Sequence, residues 1–196
     1  MTNSNAVPFT VSALPLPIPW LDQDVGPVGP AGSAGYANGT FTVKASGQWI
    51  WYTADGMNFA YQSLSGDGTI VARLLSLQGG NSSESSGVMI RESLDPSSTH
   101  MYTAFSQAAI WAAFRASTGG NTTGQSVSNV TLPYWVKVIR SGNSFSGFGS
   151  PDGVNWVQIG TSQTIPMAQN VYIGLAVSSD NNSLLATATF DNVSIH

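Results

Sequence analysis

Residues 87–106, GVMIRESLDPSSTHMYTAFS, decide how the rest of the chain is read. The stretch divides into two apolar runs around a polar centre. Val88, Ile90 and Glu92 alternate with Met89 and Arg91; Tyr102, Ala104 and Ser106 alternate with Met101, Thr103 and Phe105. Successive side chains of a strand point to opposite faces, so each run reads as a β-strand. Between them, Leu94-Asp95-Pro96-Ser97-Ser98 carries turn chemistry. Pro96 fixes its own φ, and Asp95 and the serines can bond back to the local backbone.

Outward from this pair the same pattern repeats. Downstream, residues 110–116, 134–140, 144–150 and 156–159 are strand-length runs separated by Gly-, Asn- and Pro-bearing turns. Residues 171–178 and 185–195 follow around a polar loop at 179–183. Upstream, residues 40–45 and 49–62 read as strands, with Met57, Phe59 and Tyr61 on one face of the latter. The run TIVARLLSL follows a Ser65–Gly68 turn, and the Gly/Pro-rich stretch after Trp20 and the 119–124 segment read as loops. No segment sustains a 3.6-residue period and no repeat of fixed length occurs. Short strands with turns every ~8–12 residues predict an all-β, two-sheet antiparallel β-sandwich. Residues 1–19, with prolines at 8, 15, 17 and 19, read as a linker or edge extension, and residues 20–196 as the domain.

Charge excludes several partners. Six Lys+Arg against ten Asp+Glu give a net charge of −4, with no basic run, so nucleic acid and anionic membrane surfaces are not expected. The longest apolar runs fall short of the ~20 residues of a spanning helix. Cysteine is absent, which removes disulfides and thiolate metal sites. The stretch after Met1 is polar, uncharged and proline-bearing, unlike a signal peptide, so an export signal is expected on a parent segment. Ser, Thr, Asn, Gln and Gly must cover most of the surface. That coat fits a secreted protein that meets sugars.

Sugar recognition needs flat aromatic faces and a few fixed polar groups. Trp49 and Trp51 share strand parity beside Asp55, and Tyr52, Tyr102, Trp111 and Trp156 add to the aromatic supply. Arg91 and Glu92 are adjacent charges in a chain with only 8% charged residues; either can pair with vicinal hydroxyls. Arg115 shares parity with Trp111. The expected ligand-binding set is Trp49, Asp55, Arg91, Glu92, Tyr102, Trp111 and Arg115. The alternative for the charges is cross-strand ion pairing among Arg73, Arg91, Arg115 and Glu92. His100 has no partner motif, and Ser-Pro-Asp-Gly-Val-Asn-Trp at 150–156 is read as a structural hairpin.

Several phrases in order, AGSAGYANGTFTVKASG, IWYTADGMNFAYQSLSGDGTIVARL, GVMIRESL, YWVKVIRSGNSFSGFGSPDGVNW and NVYIGLAVSSDNNSLLATATFDNV, resemble concanavalin-A-like lectin/glucanase domains of laminin-G type in bacterial secreted proteins. The resemblance spans residues 21–195. It implies a jelly-roll sandwich and non-catalytic binding of polysaccharide or oligosaccharide, with a parent enzyme or surface protein in cis. It also implies a structural Ca²⁺, for which Asp22, Asp24 and Asp191 are the candidate ligands because jelly-roll termini lie close together.

Two other readings stand beside the binding module. Laminarinase-like glycoside hydrolases share this architecture but need two facing carboxylates. Here the only glutamates are Glu84, in a loop, and Glu92, at a strand end, with no strand of alternating acids. A protein-binding adhesion or assembly module is the third reading, with the proline-rich lead adding to a neighbour's sheet edge.

Overall fold

Alternation, and its absence, sorts the strands by how many faces they bury. The computed structural model describes residues 15–196; residues 1–14 of the expected linker lie outside the described residues. In chain order the strands are β1 (Leu21–Val25), β2 (Ser33–Ala37), β3 (Thr40–Ala45), β4 (Ile50–Trp51), β5 (Ala54–Asp55) and β6 (Met57–Ser65). They continue with β7 (Gly68–Gln78), β8 (Ser85–Arg91), β9 (His100–Ser106), β10 (Ala109–Arg115) and β11 (Thr123–Ser128). The last are β12 (Tyr134–Ser141), β13 (Ser144–Ser150), β14 (Val157–Gln158), β15 (Gln163–Thr164), β16 (Asn170–Ser178) and β17 (Ala186–Ile195). The protein is an all-β sandwich.

The first sheet has seven antiparallel strands in the order β1-β6-β16-β8-β9-β10-β11. The second runs β14-β13-β12-β7-β17-β3-β2, with β15 also on β13. Between them lies the main core. The first sheet contributes Val88, Ile90, Met101, Ile110, Ile173 and Leu175; the second contributes Val43, Ile70, Leu74, Val136, Val138, Phe145 and Phe190. Leu16 and Trp20 pack against this core, with Trp20 tilted on Phe41 at 4.8 Å, so the packed unit begins before residue 20.

The two sheets differ on their outer faces. β12 buries every second residue and leaves the others part-exposed, the pattern of a strand with one solvated face. β8 and β9 are buried on both faces over most of their length. The cause is a second apolar cluster on the outer face of the first sheet: Met57, Phe59, Tyr61, Met89, Tyr102, Ala104 and Ala176, joined by Ile50 and Leu94 from loops that fold over it.

The central reading holds: β8 and β9 pair antiparallel with Arg91 opposite His100 and Met89 opposite Tyr102. Three strands flank or overlap the segments that read as loops. β1, β2 and β11 lie at sheet edges, and β11 is polar and largely exposed, so it carries little hydrophobic period. Residues 49–62 are not one strand. The chain makes the small β4–β5 hairpin across the outer face before entering the sheet as β6.

Candidate functional site

The site begins with one rung of the first sheet. Register places Tyr172, Arg91, His100 and Arg115 side by side on β16, β8, β9 and β10. Arg91, His100 and Arg115 have no solvent-exposed surface. Two guanidiniums on one buried rung demand a counter-charge, and Asp55 brings it from the strap at residues 47–56. Its Oδ1 accepts from Arg115 Nη2 at 2.7 Å, and its Oδ2 accepts from Arg91 Nη1 at 3.1 Å and Arg115 Nη1 at 3.2 Å. His100 Nδ1 lies 3.6 Å from Asp55 Oδ2 and 3.4 Å from Arg115 Nη1. Burial lowers the His100 pKa to about 4; the two arginines lower it too, and Asp55 opposes them. The imidazole is therefore neutral at pH 7. Burial also lowers the Arg91 pKa, with Asp55 pulling the other way.

The remaining donors hold loops. Arg91 donates from Nε to the Ser93 carbonyl and from Nη2 to the Asp95 carbonyl, both at 2.6 Å. Arg115 donates to the carbonyls of Trp51, Tyr52, Pro96, Ser98 and Gly120 at 3.0–3.3 Å. Three loops, 47–56, 92–99 and 116–122, are thus fastened to one buried ion cluster. Thr122 N donates to the Tyr52 carbonyl at 2.7 Å, and Asp55 N to that of Pro96 at 2.9 Å.

That fastening supports strain in the strap. Trp49 and Tyr52 have φ of +65° and +50°. A left-handed backbone costs a non-glycine residue about 1–2 kcal/mol and persists where the surroundings over-determine it. Gly47, at φ +117°, makes the entry turn, where a Cβ would fall 2.2 Å from the Gly56 carbonyl oxygen. The result is an aromatic wall. Trp49 and Tyr52, 42% and 55% exposed, meet edge to face at 5.1 Å. Trp51 meets Trp111 of β10 edge to face at 5.7 Å.

Between wall and sheet lies a cleft of about 260 Å³. Its floor is Tyr102, Ala104 and Ser106 of β9 with Trp111 and Ala113 of β10, and its rim is Ser83, Ser85 and Gln107. Small side chains at 104 and 113 leave the hollow that Trp111 flanks. None of the lining side chains carries a formal charge at pH 7. The Tyr102 hydroxyl donates to the Ala176 carbonyl at 3.1 Å, and burial raises its pKa. Gln107 Nε2 donates to Ser83 Oγ at 2.6 Å, fixing the rim amide. Asp180 stands at the margin beside Trp49 and Ser83, with its pKa raised by burial.

The expected ligand-binding set therefore divides. Trp49, Tyr102 and Trp111 line the cleft. Asp55, Arg91 and Arg115 lie fully buried beneath it with their hydrogen bonds directed to one another and to loop carbonyls, so they offer nothing to a ligand in the cleft. The ion-pair alternative describes their role, with Asp55 as partner instead of Glu92. Glu92 faces a different cleft, near Tyr172. Tyr52, named only in the aromatic supply, joins the lining, and Ser83, Ser85 and Gln107 were not foreseen. The Gln107–Ala108 turn, with φ of +53° and +54°, carries no Asn-Gly signal to mark it.

The three aspartates do not converge. Asp22 and Asp24 accept from Asn58 Nδ2 at 3.1 Å and from the backbone N–H groups of Ala34 and Gly32. Asp191 instead forms a bidentate pair with Arg73 on the second sheet. Among the described residues no group of three or more His, Cys, Asp or Glu side chains is placed to hold a metal ion. Nor, among the described residues, is any helix long and apolar enough to cross a membrane.

No protein-family model and no curated protein sequence matches the chain. Its fold is that of known β-sandwiches. A functionally unknown protein from Saccharomyces cerevisiae superposes with TM-score 0.67 at 15% identity, over 90% of this chain and 94% of that one. The carbohydrate binding module CBM66 from Bacillus subtilis gives TM-score 0.58 at 13% identity, over 89% and 94%. A GH43 protein from Bacillus licheniformis gives TM-score 0.61 at 13% identity over 81% of this chain, which spans 33% of that protein's length.

Proposed function

We propose that the protein is a non-catalytic carbohydrate-binding module whose ligand is a neutral saccharide seated against Trp111. One observation carries this reading: a preorganised, charge-free cleft with perpendicular indoles, Trp51 and Trp111, over a floor of small side chains. Two rings meeting at a corner offer apolar faces to the C–H bonds of one sugar ring, while the serines and Gln107 supply hydroxyl partners. At about 260 Å³ the cleft is below the ~300–1,000 Å³ usual for enclosed drug-sized ligands, which fits one or two sugar rings in contact. A uronate would bring an unpaired carboxylate to a site whose arginines are sealed beneath it and whose margin carries Asp180. The similarity to a carbohydrate-binding module over most of both chains supports the class.

Non-catalysis rests on the acids. Glycoside hydrolysis needs two carboxylates facing one bond. The side chains lining this cleft include none, and Glu84 is held by Gly80 N at 2.7 Å. A secreted setting, with a parent enzyme or surface protein in cis, follows from the ligand class as part of the same proposal.

The test is isothermal titration with tryptophan fluorescence against soluble cello-, xylo-, laminari-, fructo- and chito-oligosaccharides, with alginate and pectin oligomers as charged controls. Binding of one neutral class, lost in Trp111→Ala, is the expected result. Silence across the neutral panel, or a preference for uronates, overturns it.

A further inference from the structure

The outer face of the first sheet carries a second cleft that the Trp111 site does not absorb. It has a volume of about 450 Å³ and lies where β6 and β16 meet the segment after β8. Tyr172 forms one side, set edge to face on Tyr61 at 5.2 Å. Register puts Ser63 opposite Tyr172 and Ser65 opposite Asn170 on the neighbouring strand. Ser63, Ser65 and Asn170 are exposed and line the cleft, which puts hydroxyl and amide groups on its surface.

The remaining member, Glu92, is held in place. Its Oε1 accepts from Ala168 N at 2.8 Å and its Oε2 from Thr99 Oγ1 at 3.2 Å, so each oxygen keeps a lone pair. The backbone on either side is itself fixed. Buried Arg140 donates to the carbonyls of Ala168, at 2.7 Å, and Met167, at 3.3 Å. Arg91 holds the Ser93 and Asp95 carbonyls just beyond Glu92. A partly exposed carboxylate that two buried arginines orient through the backbone is preorganised as an acceptor.

We propose that this cleft is a second saccharide-binding site. Tyr172 presents a ring face and Glu92 accepts two vicinal hydroxyls of a neutral sugar, while its charge repels uronates. The choice of ligand class rests on the reading of the first cleft, but the geometry here is independent of it. Trp111 and Tyr172 are three strands and two same-face rungs apart, roughly 20 Å from strand spacing and rise. A disaccharide fills one cleft at a time, whereas a polymer reaches both and gains from effective concentration.

The experiment is titration of wild type, Trp111→Ala, Tyr172→Ala and Glu92→Gln with xylobiose, cellobiose and laminaribiose, then with soluble xylan and mixed-linkage β-glucan. Chemical-shift mapping and a thermal melt of each variant locate the ligand and exclude unfolding. The proposal expects two disaccharides per chain, one remaining in Glu92→Gln, with the Trp fluorescence response intact. Polymer affinity should fall about tenfold or more in either single-site variant. One disaccharide per chain, lost with Trp111 and untouched by Glu92→Gln, overturns this proposal and leaves the first site standing. One disaccharide lost with Tyr172 and insensitive to Trp111→Ala does the reverse. No binding of any probe overturns both.

Discussion

Asp55 Oδ1 accepts a 2.7 Å hydrogen bond from Arg115 Nη2, and neither side chain has exposed surface. The carboxylate comes from the strap and the guanidinium from β10, so this bond fastens the strap to the first sheet. Asp55 is also the only carboxylate bonded to Arg91 and Arg115 among the described residues. Asp55→Ala leaves two buried cations uncompensated, and a loss of roughly 3–5 kcal/mol is expected. Urea denaturation at pH 7 measures it; a loss below ~1 kcal/mol would mean that the cluster relaxes without its counter-charge.

Arg115→Lys separates charge from geometry. Lysine keeps the cation for Asp55 but lacks the planar fork that reaches the Trp51 and Tyr52 carbonyls at 3.3 and 3.2 Å. The expected outcome is a folded protein, less stable by about 2–3 kcal/mol, with a shifted tryptophan emission and weaker saccharide binding. Unchanged emission and affinity would show that the strap holds its aromatic wall without this clamp.

The sandwich was legible in the sequence because β12 and β13 alternate cleanly: Val136, Val138 and Phe145 face the core while Lys137 and Phe148 face outward. The site was less legible. Met89 and Tyr102 are apolar on the face that a simple sandwich leaves wet, and that excess was the available signal that a strap covers the first sheet. The charged residues misled for a related reason. Few charges on a sheet can mean a ligand or a buried ion cluster, and sequence does not say where the counter-ion stands. Asp55 lies 36 residues from Arg91 and 60 from Arg115, on a hairpin whose left-handed turns at Trp49 and Tyr52 carry no glycine to announce them.

Trp111→Ala tests the cleft itself. Trp111 is part-exposed on the outer face, opposite Ala104 and Ser126 on the neighbouring strands, and belongs to neither buried cluster. Its removal is expected to lower saccharide affinity by about 2 kcal/mol, roughly thirtyfold in Kd, with a melting temperature within a few degrees of wild type. Calorimetric titration and a thermal melt on the same sample read both quantities. A collapse of the melt would reassign the indole to a structural role.

His100 makes stability depend on pH. It is faced by Arg91 from β8, Arg115 from β10 and Asp55 from the strap, and it is fully buried. The unfolded imidazole takes its proton near pH 6.5, but the folded one, held down first by burial, does so near pH 4. Between these values the unfolded chain binds more protons, so stability falls as pH falls through the window and levels off below it. Above about pH 6.5 the contribution is complete, and across the window it amounts to about 3 kcal/mol. His100→Asn should remove this slope while keeping a polar side chain beside Asp55. Denaturation midpoints at pH 7.0 and pH 4.5, compared between wild type and variant, decide the matter: equal losses in both would assign the acid sensitivity to groups other than this imidazole.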